Sequence, residues 1–169
     1  MGIPSYFSYI VKNHSNIIKK IKELNKKINN LYLDSNSIIY DSFYEIQTDY
    51  GILKQNQFET KLIKCIISKI KEYKKIIKPV GKVMIAFDGV APAAKLKQQR
   101  NRRYKSALEK LLKKEESNGW DKTAITPGTD FMEKLGRRIK NHFKKNENII
   151  VSDSSEPGEG EHKIFQYIR

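Results

Sequence analysis

At 169 residues the chain has the length of one domain, and 38% apolar residues suffice to build a core. Thirty-three Lys and Arg against 19 Asp and Glu give a net charge of +14, which directs attention to nucleic acid first and to an anionic membrane surface second. No apolar run approaches the roughly 18 residues of a membrane span, the start lacks the apolar stretch of a signal peptide, and the lone Cys65 excludes a disulfide framework and a thiolate zinc site. The chain reads as intracellular, in cytoplasm or nucleus. A myristoylation reading of Met1-Gly2 fails because Tyr6 stands where Ser or Thr is wanted. Lys outnumbers Arg 27 to 6, a bias that an AT-rich coding sequence produces, so the Arg clusters at Arg100, Arg102, Arg103 and at Arg137, Arg138 are the better reporters of binding.

Along the chain, helical periodicity alternates with short apolar runs. Ile17, Ile18, Ile21, Leu24 and Ile28 recur at helical spacing and predict a first helix. Leu31-Tyr-Leu-Asp34 predicts a strand. Phe58, Leu62, Ile63, Ile66, Ile67, Ile70 and Ile77 predict a long helix. Val83 to Asp88 predicts the next strand. Phe131, Leu135, Ile139 and Phe143 predict another helix, opened by Thr126-Pro127. Ile149 to Asp153 predicts a third strand, and a last helix opens near Glu161. The three strands are apolar on both faces, as in a covered parallel sheet, so the fold class is α/β: a mainly parallel central sheet flanked by helices, in one domain over 1–169. The last helix is still running at Arg169, so the chain is expected to be the front part of something longer.

Each apolar run ends in an acid: Asp34, Asp88 and Asp153. In an open parallel sheet these ends lie along one edge, where ligands bind. Asp also favours turns, but for two or three such ends in one sheet the site reading overtakes the turn reading. Farther on comes Pro157-Gly-Glu-Gly-Glu-His162. On an extended segment Glu159 and Glu161 point to one side, and Gly158 and Gly160 carry no side chains to obstruct an approach. Two carboxylates aimed one way suit a hard divalent cation such as Mg²⁺. The alternative is an acidic turn whose Glu residues suit the start of a helix. His162 has no second His nearby and is read as structural or solvent-facing.

Between the second and third strands, the segment from Lys95 to Lys105 is basic and free of acids, following the turn Gly89-Val-Ala-Pro92. At about 100° per residue Lys95, Gln99, Arg102 and Arg103 fall on one helix face. They offer a point charge, an amide and two guanidinium forks to an anion, which is what a phosphate requires. The alternative is a solvated Lys-rich face like the one from Lys71 to Lys78.

Six segments, in order, resemble the XRN family of 5′→3′ exoribonucleases: Met1 to Phe7, Leu31 to Asn36, Phe87 to Pro92, Lys95 to Arg103, Ile125 to Thr129 and Pro157 to Lys163. The resemblance implies a 5′-nuclease (PIN-like) architecture, incomplete at the C-terminus. It implies an enzyme in RNA turnover that degrades single-stranded RNA with a 5′ monophosphate by two-metal catalysis with Mg²⁺, Mn²⁺ being a substitute. By the same resemblance Asp34, Asp88, Glu159 and Glu161 are the catalytic and metal-binding acids, Asn36 steadies Asp34 or a bound water, and Asp153, outside the family's acidic set, returns to the turn reading. Lys95, Gln99, Arg102 and Arg103 are the 5′-phosphate pocket. Tyr40 stands where the family has a base-stacking His, keeping an aromatic face. The family's later Asp-x-Asp pair and a further Asp do not occur in the chain, so alone it is expected to cleave weakly or not at all. Alternatives are a non-catalytic RNA-binding fragment, a chain completed by a second one carrying those acids, and a 5′ DNA flap nuclease.

Overall fold

Each of the three apolar runs forms a strand, and the strands lie side by side and parallel in the order β1 (Leu31–Asp34), β2 (Val83–Ala86), β3 (Ile149–Ser152). Leu31 is opposite Val83 and Val83 opposite Ile149, so Asp34, Ala86 and Ser152 end the three strands in register. The strands are four residues each; Asp88 and Asp153 lie just beyond them, in the loops that leave the carboxyl edge. This computed structural model describes residues 5–17, 19–23, 26–112 and 120–169; within those spans the side chains of residues 22, 102, 106, 107 and 109–111 lie outside the described set.

The period-2 alternation of a strand decides which residues face which layer. Val83, Ile85 and Phe87 of the middle strand, with Leu31, Leu33, Ile149 and Val151 of its neighbours, face the main core. That core is filled by α2 (Asn36–Ile46), α3 (Gln55–Ile77) and α5 (Asp130–Phe143), which contribute Ile39, Phe58, Leu62, Ile66, Leu135 and Ile139, all essentially inaccessible. The other face is covered by α6 (Gly160–Ile168), which packs on β1 and β2, with the ring of Tyr167 against Tyr32 at 6.1 Å. Every residue of β2 is buried, whereas β1 and β3 are half-exposed edges. Trp120 closes the core beside Phe43, Phe58 and Phe131, at ring separations of 4.9 to 5.8 Å.

Two local expectations are corrected. The stripe from Ile17 to Ile28 does not make an α-helix among its described residues: it forms two short 3-10 turns, Ser15–Ile17 and Ile21–Glu23, while Ile18 and Leu24 lie outside the described residues. Among the described residues Ile17 and Ile21 are exposed and Ile28 is half-buried, so little burial rewards the periodicity there, and a short helix without it is marginal in water. The helix α5 starts later than Thr126-Pro127 predicts. Thr129 is its cap, its hydroxyl accepting from the Met132 N–H, and Thr126-Pro-Gly128 is the turn before it. The first helix, α1 (Tyr6–Asn13), has no buried residue, and Met1 to Pro4 of the first motif lie outside the described residues. The remaining helix, α4 (Ala93–Leu112), follows Pro92, whose carbonyl accepts its first N–H groups. No helix among the described residues is long and apolar enough to cross a membrane.

Candidate active site

The site is built outward from Asp88, one residue past the buried Phe87 at the end of β2. Its Oδ2 accepts from the Asn36 side chain at 2.7 Å, and its Oδ1 accepts from the Gly160 N–H at 2.8 Å. The Asp88 N–H in turn donates to Asn36 Oδ1 at 3.1 Å. Asn36 opens α2 directly after β1, and Gly160 opens α6, so one carboxylate ties the ends of two strands to the start of a helix. Asn36 thus steadies Asp88 by side chain. Toward Asp34 it contributes its backbone N–H.

Asp34, at the end of β1, lies close enough for the charge of Asp88 to act on it. A Cβ on Gly160 would come 2.5 Å from Asp34 Oδ1, so only glycine lets the helix start this close to the acid. Gly158 is required for a different reason: its φ is +99°, which side-chain-bearing residues rarely adopt, although a Cβ there would meet only ordinary contacts at 3.9 Å. Lys163, buried on the first turns of α6, donates to the carbonyls of Phe87 at 2.8 Å and Asp153 at 2.7 Å. It pins the ends of β2 and β3 beneath the acids. Burial pushes its ammonium below the ordinary Lys range, partly offset by Glu156, Asp153 and Asp88.

The expectation of an extended Glu159-Gly-Glu161 segment is corrected. Glu159 is the extended N-cap of α6, but Gly160 already begins the helix and Glu161 lies in its first turn. The helical start has its own consequence: Glu159 and His162 are three apart and come to one face, with His162 Nδ1 at 3.8 Å from Glu159 Oε2. Potential ligand atoms of Glu159, Glu161 and His162 all lie within 4.8 Å of one another, the one such group found among the described residues. His162 is exposed, in keeping with its solvent-facing reading, and its place beside the two Glu residues depends on where the helix begins. Asp153 behaves as a turn residue. Burial opposes its charge, but Lys140 at 2.8 Å and the Ser155 hydroxyl and N–H outweigh that and hold its carboxyl below the ordinary range.

The carboxylates suit a hard cation by type: the charges of Asp88, Glu161 and Glu159 all act on Asp34, but among the described residues the group within ligand distance is Glu159, Glu161 and His162, without Asp34 or Asp88. Asp34 registers this crowding. Its carboxyl is held above the ordinary range, first by burial, then by the charge of Asp88, with Glu161 and Glu159 adding to it. A raised folded pKa means that the group's stabilising contribution is complete below the unfolded value and is lost as pH rises through the folded one. At neutral pH an ionised Asp34 therefore destabilises the metal-free fold. Asp34→Asn is expected to raise the melting temperature in EDTA by up to about 2–4 °C, under about 1 kcal/mol because the carboxyl is exposed enough for water to screen it. The same change should abolish any stabilisation by Mg²⁺. Thermal unfolding of both forms at pH 7, with EDTA and with Mg²⁺, checks this; a variant less stable in EDTA contradicts it.

Beside the acids runs a cleft of about 570 Å³. Asn36, Tyr40 and Asp88 line one side, Gln99 and Arg103 of α4 another, and the segment from Asp121 to Pro127 the third. Arg103 is anchored by a bond from Nη2 to Thr126 Oγ1 at 3.2 Å. So the stacking candidate, two members of the basic face and one acid share one opening. Lys95 turns instead to Glu159, with Nζ at 3.1 Å from Oε1. The Arg102 side chain lies outside the described residues. A larger hollow of about 790 Å³ lies elsewhere, lined by Lys71, Lys74, Lys75, His142 and Lys145. The lysines gather toward the C-terminal ends of α3 and α5, where they complement the helix dipoles, while burial and then the charge of Lys71 push the His142 pKa below its ordinary value.

A parallel sheet with acids gathered at its carboxyl edge and a basic helix beside them is an α/β domain of the PIN-like kind. The chain belongs to one family of that kind, matching over residues 1–169 the model described as XRN 5'-3' exonuclease N-terminus. It is 38% identical to 5'-3' exoribonuclease 1 of Saccharomyces cerevisiae, across all of this chain and 12% of that protein. It is 32% identical to 5'-3' exoribonuclease 2 of Kluyveromyces lactis, across all of this chain and 22% of that protein, and 31% identical to that of Gallus gallus with the same coverage. The chain therefore spans between about an eighth and a quarter of the length of these relatives.

Proposed function

We propose that this domain serves a 5′→3′ exoribonuclease of RNA turnover, one that hydrolyses single-stranded RNA carrying a 5′ monophosphate. The observation that carries the reading is the shared opening: Asp88, clamped by Asn36 and the Gly160 N–H, lines the same cleft as Gln99 and Arg103. Asp34, Asp88, Glu159 and Glu161 are the acids that would hold Mg²⁺, or Mn²⁺ in its place. Divalent cations bound there supply an activated water and charge to stabilise the leaving 3′ oxygen. The chain's own part is positional. Gln99, Arg103, Arg102 and Lys95 hold the terminal phosphate, and Tyr40 offers a ring for the first base to stack on. Gripping the end of the strand brings only the first phosphodiester to the acids, which gives the reaction its direction.

A second reading has its own observation. Among the described residues only Glu159, Glu161 and His162 bring donor atoms within 4.8 Å of one another, so further acids would be needed for a second ion. In that reading the 169 residues bind RNA and cut only with the family's later acids, in the same chain or in a second one.

Both readings require recognition of the 5′ end. Fluorescence anisotropy with 3′-labelled oligoribonucleotides is expected to show tighter binding of the 5′-monophosphate than of the 5′-hydroxyl form. Arg103→Ala should cost about 1.5 kcal/mol, roughly tenfold, for the phosphorylated RNA alone. Each phosphate neutralised on a single strand should add about −0.7 to the log–log salt slope. Equal affinity for the two ends, unchanged by Arg103→Ala, contradicts the phosphate pocket. Single-turnover assays with the later acids supplied then separate the cutting and binding readings.

A further inference from the structure

We infer that Lys95 is an exchangeable counter-ion that couples cation binding at Glu159 to capture of the RNA 5′ phosphate, each strengthening the other. The inference rests on the function proposed above. Its starting point is the ion pair between Lys95 Nζ and Glu159 Oε1 at 3.1 Å, whose side chains are 29% and 11% exposed. Lys95 stands where local structure does not favour it, and Glu159 is left free of a capping bond in its own helix. Lys95 lies in the first turn of α4, a turn without an acid, where the helix dipole disfavours a cation. Glu159 is the N-cap of α6, yet its side chain makes no capping bond to that helix. The two meet from distant parts of the sequence.

Both are also wanted elsewhere. Glu159 belongs to the group with Glu161 and His162 whose donor atoms lie within 4.8 Å. Lys95 rides on the helix that sends Gln99 and Arg103 into the cleft. One ammonium cannot neutralise Glu159 and grip a phosphate at once. A divalent cation at Glu159 would repel the ammonium a few ångströms away and release it toward the nearest anion, the terminal phosphate. Conversely, a phosphate that draws Lys95 away leaves Glu159 uncompensated and raises its appetite for a cation. Binding linkage makes the two effects equal in size. Lysine suits this exchange, since a point charge on a flexible four-carbon stem moves between partners more easily than a planar guanidinium fork.

The test measures the affinity ratio of 5′-monophosphate to 5′-hydroxyl RNA, in EDTA and with Ca²⁺ as the probe cation, on the full chain. In the wild type Ca²⁺ is expected to raise that ratio about fivefold or more. Glu159→Gln should show the raised ratio already in EDTA, because its neutral amide no longer holds the ammonium, and Ca²⁺ should add little. Lys95→Met should show a low ratio that Ca²⁺ leaves unchanged. A wild-type ratio well above one but equal in EDTA and Ca²⁺ overturns the coupling and leaves the phosphate pocket standing. An equal rise with Ca²⁺ in Lys95→Met also overturns it, since the cation would then be contacting the phosphate without Lys95. A ratio of one throughout removes the pocket and the coupling together.

Discussion

Asp88→Ala is expected to lower mononucleotide release by about 10³-fold, the scale on which removal of a single preorganised charge-stabilising group acts. Asp88 has both oxygens held at 2.7 to 2.8 Å, by Asn36 and by the Gly160 N–H. Its aim is therefore fixed before any ligand arrives. Removing it deletes a charge from the proposed cation set and leaves the Asn36 amide and the Gly160 N–H without their acceptor. Hydrogen bonds to a charged group contribute about 1.5–3 kcal/mol, so stability should fall by that order as well. Asp88→Asn separates the two losses. It keeps the shape and an acceptor oxygen but not the charge, so it should regain much of the stability while staying inactive. The measurement is a single-turnover assay with 5′-monophosphorylated RNA, Mg²⁺ and the family's later acids supplied. Release by Asp88→Ala within tenfold of the wild type would take Asp88 out of the catalytic set.

Phe58→Ala is expected to have the largest effect on stability. Phe58 is completely buried, with its ring 5.2 Å from Tyr50, 5.8 Å from Trp120 and 6.2 Å from Phe43. It joins α3 to α2 and to Trp120 at the heart of the core. Phe→Ala at such a position costs about 3–5 kcal/mol, transfer and cavity together. That is a large part of the roughly 5–15 kcal/mol that holds a domain folded. The melting temperature should drop by about 6–20 °C. Phe165→Ala on α6, where the ring is 66% exposed, is expected to stay within about 0.5 kcal/mol. Circular dichroism melts of the two variants side by side check both; equal shifts would contradict the placement of the core.

Sequence alone determined the layers and most of the cast. Short β-rich runs apolar on both faces can be satisfied only as covered parallel strands, and the 3.6-residue stripes of α3 and α5 fit one buried face. Hence the α/β class, the strand that precedes each acid, and the basic face of α4 follow from local pattern and spacing, and the ordered motifs led to the family. Local pattern has no access to partners far apart in the chain. That Asn36 holds Asp88, 52 positions away, that Lys95 pairs with Glu159, and that Trp120 completes the core were decided only when the sheet brought those segments together. Helix boundaries were decided the same way. Glu159 and Glu161 look like alternate positions of an extended segment until Gly160, pressed against Asp34, starts a helix between them and swings His162 to the same side. The stripe from Ile17 to Ile28 shows the converse. Periodicity without a surface to pack on is too weak to hold a helix, since most helical stability in a protein comes from burial of the apolar face rather than from the pattern itself.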